Sequence, residues 1–344
     1  MKPPLTARVR AATVVLALAA ASTAAAQPAA PVRIRLGTLA PQGTSYHHIL
    51  QSMAQRVRDS TAGQVQLTVY AGTMGSELEL VRRMRIGQLQ AATITVAGLR
   101  EVDRAVGALQ LMPLVFRSLD ELDFVMERLT PMLNRRMEER GFVVLFWGTA
   151  GWVRFFCRRP AVRPEEFKHF KVFVTAGDNT QADMMRSAGF QPVSLEWSDA
   201  LTALQTGMID AVPTIPTVAL AMQYYTIAAT MLDLDWVPLV GAGIITRKAW
   251  DALTPVQQGA LRAAGAEAGR RFQERGQIEA RDAVAAMERR GLSESAMTPA
   301  AEAEWRALSE RFYPQIRGSM VPADMFDQVM QLLAEYRASH ATSR

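Results

Sequence analysis

A chain of 344 residues with 38 Lys and Arg against 33 Asp and Glu can bury a substantial core and exceeds the common size of one domain, so two lobes are expected. Three of its basic residues, Lys2, Arg8 and Arg10, sit at the very start, and without them the formal charge falls from +5 by three to +2, which is no electrostatic footprint for a nucleic acid. A single cysteine, Cys157, excludes an internal disulfide and a cysteine-based zinc centre.

Those three basic residues precede an apolar run over 11–21, and Ala24, Ala25 and Ala26 then offer small side chains to a signal peptidase. The pattern predicts a secretory leader over residues 1–26, cleaved after Ala26, and hence an exported protein. The apolar run is shorter than the roughly 20 residues of a membrane-spanning helix. No cysteine follows the cut to carry a lipid, and no later segment is long and apolar enough to span. The mature chain is expected to be soluble.

Val32, Ile34 and Leu36 alternate with Arg33, Arg35 and Gly37, a strand pattern. Thr44 or Ser45 can cap a helix running to about Thr61, Gly63 ends it, and Val65, Leu67 and Val69 form a second strand. The plan repeats: Gly72 and Gly75 mark a turn, Ser76 caps a helix with Leu78, Val81 and Met84 on one face, and residues 89–96 read as the third strand. The chain between Gly141 and Gly151, apolar over 143–146, predicts a strand crossing to a second lobe, and 239–245 its return.

Between the crossings the same architecture is read again. Residues 172–175 are a strand, 180–187 a helix stopped by Gly189, and 193–195 a strand; Ser198 caps a helix stopped by Gly207, and 209–212 close the unit. Two such βαβαβ units predict an α/β protein of two lobes, with a ligand crevice at the strand ends. The expected division is 32–149 with about 239–253 for one lobe and 150–238 for the other. Residues 254–339 are expected as helices packing across both: Thr254 caps and Pro255 opens a helix to about Arg290, Thr298 and Pro299 start another, and Pro322 the last.

Catalytic signatures do not emerge. The chain has no nucleophile-elbow run, no phosphate-cradling glycine loop and no dinucleotide fingerprint. His47 and His48 are adjacent and diverge on a helix, unlike a ligating i, i+4 pair. Cys157, beside Phe155 and Phe156, reads as a buried structural thiol. Asp233 and Asp235 sit two apart, enough to begin a cation site, although neither a metal nor a cofactor is expected. Asp199 and Asp210 fit a helix start and a helix stop.

Pro160, then Lys171 opening the run KVFV, then Pro192 before ALQTGMIDA at 203–211 form an ordered signature. With GQVQLTVYAG and Gly75, RIGQLQ, and Leu111 to Leu114 with Phe116 in the first half, the chain resembles the DctP-type solute-binding proteins of tripartite ATP-independent periplasmic (TRAP) transporters. The resemblance covers nearly the whole mature chain. It implies a type II-like periplasmic binding protein, closing on a small ligand like a Venus flytrap and docking on a separate membrane permease. It implies no enzyme.

The departures from that pattern direct the site reading. In the family an arginine holds the substrate carboxylate two residues after the signature lysine and another stands eight before the proline; here these positions are Phe173 and Trp152. A family asparagine falls on Thr214. Two flat apolar walls and one hydroxyl therefore replace the polar anchors, which predicts an aromatic or apolar ligand, or a monocarboxylate, in place of a short dicarboxylate. Arg154, two residues from Trp152 on the same side of a strand, is a candidate to replace the lost charge, or else a solvated edge residue. Phe173 is otherwise a core aromatic. Tyr46 and Trp236 complete the candidate ligand residues, whereas Trp197 reads as packing. A ligand sensor and a periplasmic enzyme are the competing functions.

Overall fold

Ile34 and Leu36 turn inward and Arg33 and Arg35 outward along β1 (Val32–Thr38), as the alternation demands. The structure, a computed structural model, describes residues 30–72, 74–176 and 179–341; the expected leader lies outside them. Thr44 caps α1 (Ser45–Ser60) by accepting from the His47 N–H, and the helix buries Ile49, Leu50, Met53 and Val57. There follow β2 (Val65–Ala71), α2 (Glu77–Arg85), capped by Ser76, and β3 (Ala91–Thr95). Both β2 and β3 lie parallel to β1, so β1 is central in a βαβαβ unit.

A short α3 (Val96–Leu99) and a 3-10 turn (Arg104–Leu109) lead to α4 (Leu119–Glu139), which buries Leu122, Val125, Leu129, Leu133 and Met137. The 16-residue β4 (Phe142–Cys157) then runs out of this lobe into the next. That lobe comprises α5 (Pro164–Phe167), β5 (Lys171–Thr175), α6 (Asn179–Ser187), β6 (Gln191–Leu195), α7 (Ala200–Thr206), β7 (Ala211–Thr214) and α8 (Pro216–Ala221). The 17-residue β8 (Thr230–Thr246) returns to the first lobe.

One sheet results, in the order β2-β1-β3-β8-β4-β7-β5-β6. Its two long antiparallel strands are shared. Residues of β8 from Gly241 to Ile245 pair with β3 on one side and with the first half of β4 on the other. Residues 154–157 of β4 pair with β7. The parallel strands of both lobes therefore run towards a common waist, near Gly148 to Trp152 of β4 and Pro238 to Gly241 of β8. The crossings expected between Gly141 and Gly151 and over 239–245 lie within these longer strands.

The rest is helical apart from β9 (Ser293–Ser295), which pairs with β8. After α9 (Arg247–Asp251), α10 (Pro255–Glu288) spans 34 residues, about 50 Å of helix. Its glycines let it lie on bare backbone: an added Cβ would sit 3.0 Å from the Leu145 carbonyl oxygen at Gly265, 2.8 Å from that of Trp147 at Gly269 and 3.0 Å from that of Thr149 at Gly276. Leu261, Ala264, Ala268 and Phe272 join the core formed with α1, whereas Met287 enters the second lobe's core beside Phe173. The helix thus touches both lobes. Its start carries a reciprocal capping box between Thr254 and Gln257. Thr254→Ala is expected to cost about 1 kcal/mol, read as a lowered urea midpoint with unchanged slope.

α11 (Pro299–Ser319) places Trp305 and Leu308 over the second lobe, breaks at Arg317 and Gly318, and gives way to α12 (Ala323–Ala341) on the first. Leu114 adds another tie. It adopts φ 56, donates its N–H to the Trp236 carbonyl at 3.0 Å and accepts from Arg306 Nη1 at 3.0 Å, with its side chain in the second lobe's core. No helix among the described residues is long and apolar enough to cross a membrane.

Candidate functional site

Because the parallel strands of both lobes end at the waist, their carboxyl ends open onto it, and this is where an open α/β sheet binds ligands. On the first lobe, the last strand residue, Thr95, is held by Glu77. This buried carboxylate accepts the Thr95 N–H at 2.8 Å, the Thr95 hydroxyl at 2.7 Å and the Gly98 N–H at 2.8 Å. Burial pushes its pKa up, against the pull of those three donors. Gly98 is required here, since a Cβ would come 2.8 Å from the Glu77 Cβ.

Tyr46 approaches the waist from α1. It is buried, lies parallel to Phe272 with centroids 5.5 Å apart, and donates its hydroxyl to the Ala150 carbonyl at 3.2 Å. Burial pushes its pKa up to about 12. The Thr217 hydroxyl of α8 lies beside it and opposes that rise. Tyr46 therefore connects α1, α10 and the waist.

On the second lobe, Phe156 pairs with Val212 and Arg154 with Thr214, so Arg154 and Thr214 share the sheet face that carries Phe156, Val212 and Phe173. Phe173 is 2 % exposed and lies under the half-buried Trp197, ring centroids 4.4 Å apart and tilted by 45°. Thr214 is buried at the end of β7. Trp152 stands at the waist opposite Pro238 and packs, as does Met184 of α6, against the first lobe's core. Trp236 belongs to the other face: it makes edge contacts with Phe155 and Trp305 at 5.5 and 5.6 Å.

Arg154 has carboxylate partners. Between Val153, which pairs with Val237, and Phe155, which pairs with Leu232, β8 bulges, so Arg154 alone faces residues 233–236. Its guanidinium lies 2.7 Å from Asp233, 3.0 Å from Asp235 and 3.9 Å from Glu294 of β9. Burial pushes the Asp235 carboxyl up while Arg154 opposes it; Glu294 is raised by burial and by the charge of Asp233. The cation beside the two aspartates is the protein's own. Among the described residues no group of His, Cys, Asp and Glu is arranged to hold a metal.

The structure thus unites Phe173, Thr214 and Arg154 on one face, brings Trp152 and Tyr46 to the waist, and leaves Trp236 on the opposite face. Trp197, read from sequence as packing only, ends the carboxyl side of β6 and is the half-exposed partner of Phe173. Its place directly after a strand of the parallel unit is the signal that marks it. Ser198 does not cap α7: a 3-10 turn, Trp197–Asp199, intervenes, with no side-chain cap at Asp199. Cys157 is buried and free, its thiol pushed up by burial.

Three of the signature residues, Lys171, Gly207 and Asp210, are structural. Lys171 Nζ donates to the Gly207 carbonyl at 2.7 Å, and its N–H to Asp210 Oδ2 at 2.9 Å, while the Asp210 N–H returns to the Lys171 carbonyl at 2.7 Å. They bolt β5 to the turn between α7 and β7.

Three kinds of likeness agree with this architecture. A solute-binding protein of Roseobacter denitrificans is 23 % identical over 197 residues, 56 % of this chain and 59 % of its own length, so the match spans well under two thirds of that relative. Among solved structures, a TRAP periplasmic solute-binding protein from Ralstonia eutropha with bound (S)-2-acetolactate superposes with a TM-score of 0.82 at 19 % identity, over 88 % of this chain and 99 % of that one. A Bordetella pertussis extracytoplasmic solute receptor binding pyroglutamic acid gives 0.80 at 19 % identity, and a Sulfitobacter protein with bound β-D-galacturonate 0.80 at 18 %, each again over 88 % and 99 %. The family model for DctP matches residues 36–318. With its two lobes and shared crossing strands, the chain belongs to the bacterial extracellular solute-binding proteins of family 7.

Proposed function

We propose that this protein is a periplasmic receptor that captures a small organic compound between its lobes and delivers it to a TRAP-type membrane permease. The observation that carries the reading is the convergence of both parallel strand sets on one waist, with Trp152 and Trp197 at its edge. A ligand touching both lobes favours the closed arrangement by its differential affinity for it. The lobes are taken as 32–149 with 239–253 and 150–238, turning about the middle of β4 and β8.

The ligand is an aromatic or apolar compound or a monocarboxylate. Similar structures hold acetolactate, pyroglutamate and galacturonate, but here Phe173 and Trp152 occupy the positions at which the family resemblance implies arginines. Trp197, backed by the buried Phe173, supplies the wall, and Thr214 the hydroxyl. Tyr46 and Trp236 act as supports of the waist and of β8.

Mass spectrometry of the compound released from native protein identifies the ligand. Trp197→Ala is then expected to weaken its binding at least tenfold, about 1.4 kcal/mol, by calorimetry on the folded variant. Unchanged affinity would remove Trp197 from the site. A released short dicarboxylate would overturn the ligand class.

A further inference from the structure

The proposed ligand would meet one cation on the second lobe's face, and that cation is already engaged. Arg154 directs Nη1 at Asp233, and both Nη2 and Nε at Asp235. Glu294 stands just beyond. Three carboxylates around one guanidinium leave the position with an excess of negative charge, and the guanidinium side chain is only 22 % exposed. A ligand carboxylate entering here would displace an aspartate from its partner and meet the remaining acids at short range, where like charges repel.

The other basic side chains of the lobe do not substitute. Arg158 is near Asp210, Arg159 donates to the His169 carbonyl, and Arg163 pairs with Glu304. Lys168 pairs with Glu165, Lys171 caps Gly207, and Arg186 pairs with Asp183. Arg158 and Lys171 lie at the end of the lobe away from the waist, where β4 ends and β5 begins.

We propose that the ligand presents no carboxylate to the second lobe: it is an aromatic or apolar compound that is uncharged where it meets Thr214, Trp197 and Trp152. Arg154 serves as an internal counter-ion that ties β9 and the bulge of β8 to β4. This inference rests on the functional reading above and narrows it, since it removes the monocarboxylate held by Arg154.

Two measurements test it. The compound released from native protein is expected to be neutral or to carry a carboxylate amidated, esterified or absent; a free carboxylic acid overturns the inference. Independently, phenylacetamide and phenylacetate are compared by calorimetry on the wild type and on the double variant Asp233→Asn, Asp235→Asn, which keeps side-chain acceptors for Arg154 but removes both charges. The wild type is expected to favour the amide. The double variant should shift the acid-to-amide affinity ratio at least tenfold towards the acid. Wild-type preference for the acid, or no shift in the variant, overturns the proposal, and if neither probe binds the wild type the released compound alone decides. A released neutral polyol would instead overturn the aromatic wall and leave the charge inference standing, so the two failures are distinguishable.

Discussion

Replacing Arg337 with methionine is expected to destabilise the protein by about 3 kcal/mol. Arg337 of α12 grips Glu121 of α4 through Nε at 2.7 Å and Nη2 at 2.8 Å, and also donates to the Val115 carbonyl at 2.6 Å. The Glu121 side chain is 5 % exposed, so the substitution strands a carboxylate in the first lobe's core. Arg337 itself is 29 % exposed, which places the cost at the lower end of the range for breaking buried pairs. Burial acts to raise the Glu121 pKa, but the donors from Arg337 and the Arg117 N–H outweigh it and hold the carboxyl below its ordinary value. A lowered folded value means that the contribution is present above the unfolded carboxylate's range and lost as pH falls through the folded one. The penalty should therefore be largest at about pH 7 and shrink at about pH 3. Urea melts of both proteins at the two pH values check this, and an equal penalty at each would mean that ionised Glu121 is not the group left exposed to the change.

Gly241→Ala should cost a similar amount, about 3 kcal/mol, by a different route. Gly241 lies between Thr95 of β3 and Gly148 of β4, and an added Cβ would come 2.7 Å from the Ile94 carbonyl oxygen. That atom is backbone in a paired strand and cannot yield without opening the β3–β8 ladder. The same strand end carries Thr95 and the α3 start, so ligand affinity should fall with stability. Gly259→Ala is the control: nothing lies within 4 Å of the new methyl in α10, and helix propensity should make it stabilising by about 0.5–1 kcal/mol. Thermal melts of the pair separate the cases, and a harmless Gly241→Ala would show that β3 and β8 part readily at the waist.

Much of the fold was readable because local pattern and tertiary role coincide. Alternation in Val32 to Leu36, the stops at Gly63, Gly189 and Gly207, and the capping box at Thr254 each specify an element by themselves. α4 is hard to read from sequence, because Pro131 sits inside it and a proline there normally argues for a break; its exposed position and the buried stripe from Leu122 to Met137 override that local preference. Leu114 is equally illegible, since a left-handed leucine is held by Trp236 and Arg306 from distant parts of the chain.

The candidate site divides in the same way. Spacing along β4 relates Arg154 only to Trp152, two residues before it; that Thr214 is its neighbour follows from the β4–β7 pairing, and its engagement depends on a bulge in β8 that brings Asp233 and Asp235 to it, which no spacing within β4 reports. Phe173 and Trp197 differ little as sequence signals, both aromatics beside a strand end. Which ring is covered and which is half exposed is decided by their mutual packing.

The grip of α12 on α4 has a further consequence for how the molecule is made. Glu121 and Arg337 are 216 positions apart, and β3 finds its neighbour β8 only after the whole second lobe has been synthesised. The first lobe is therefore incomplete until α12 has been synthesised. Contacts so distant delay cooperative folding, so the β1–β2–β3 half of the sheet stays loosely held while the rest of the chain emerges.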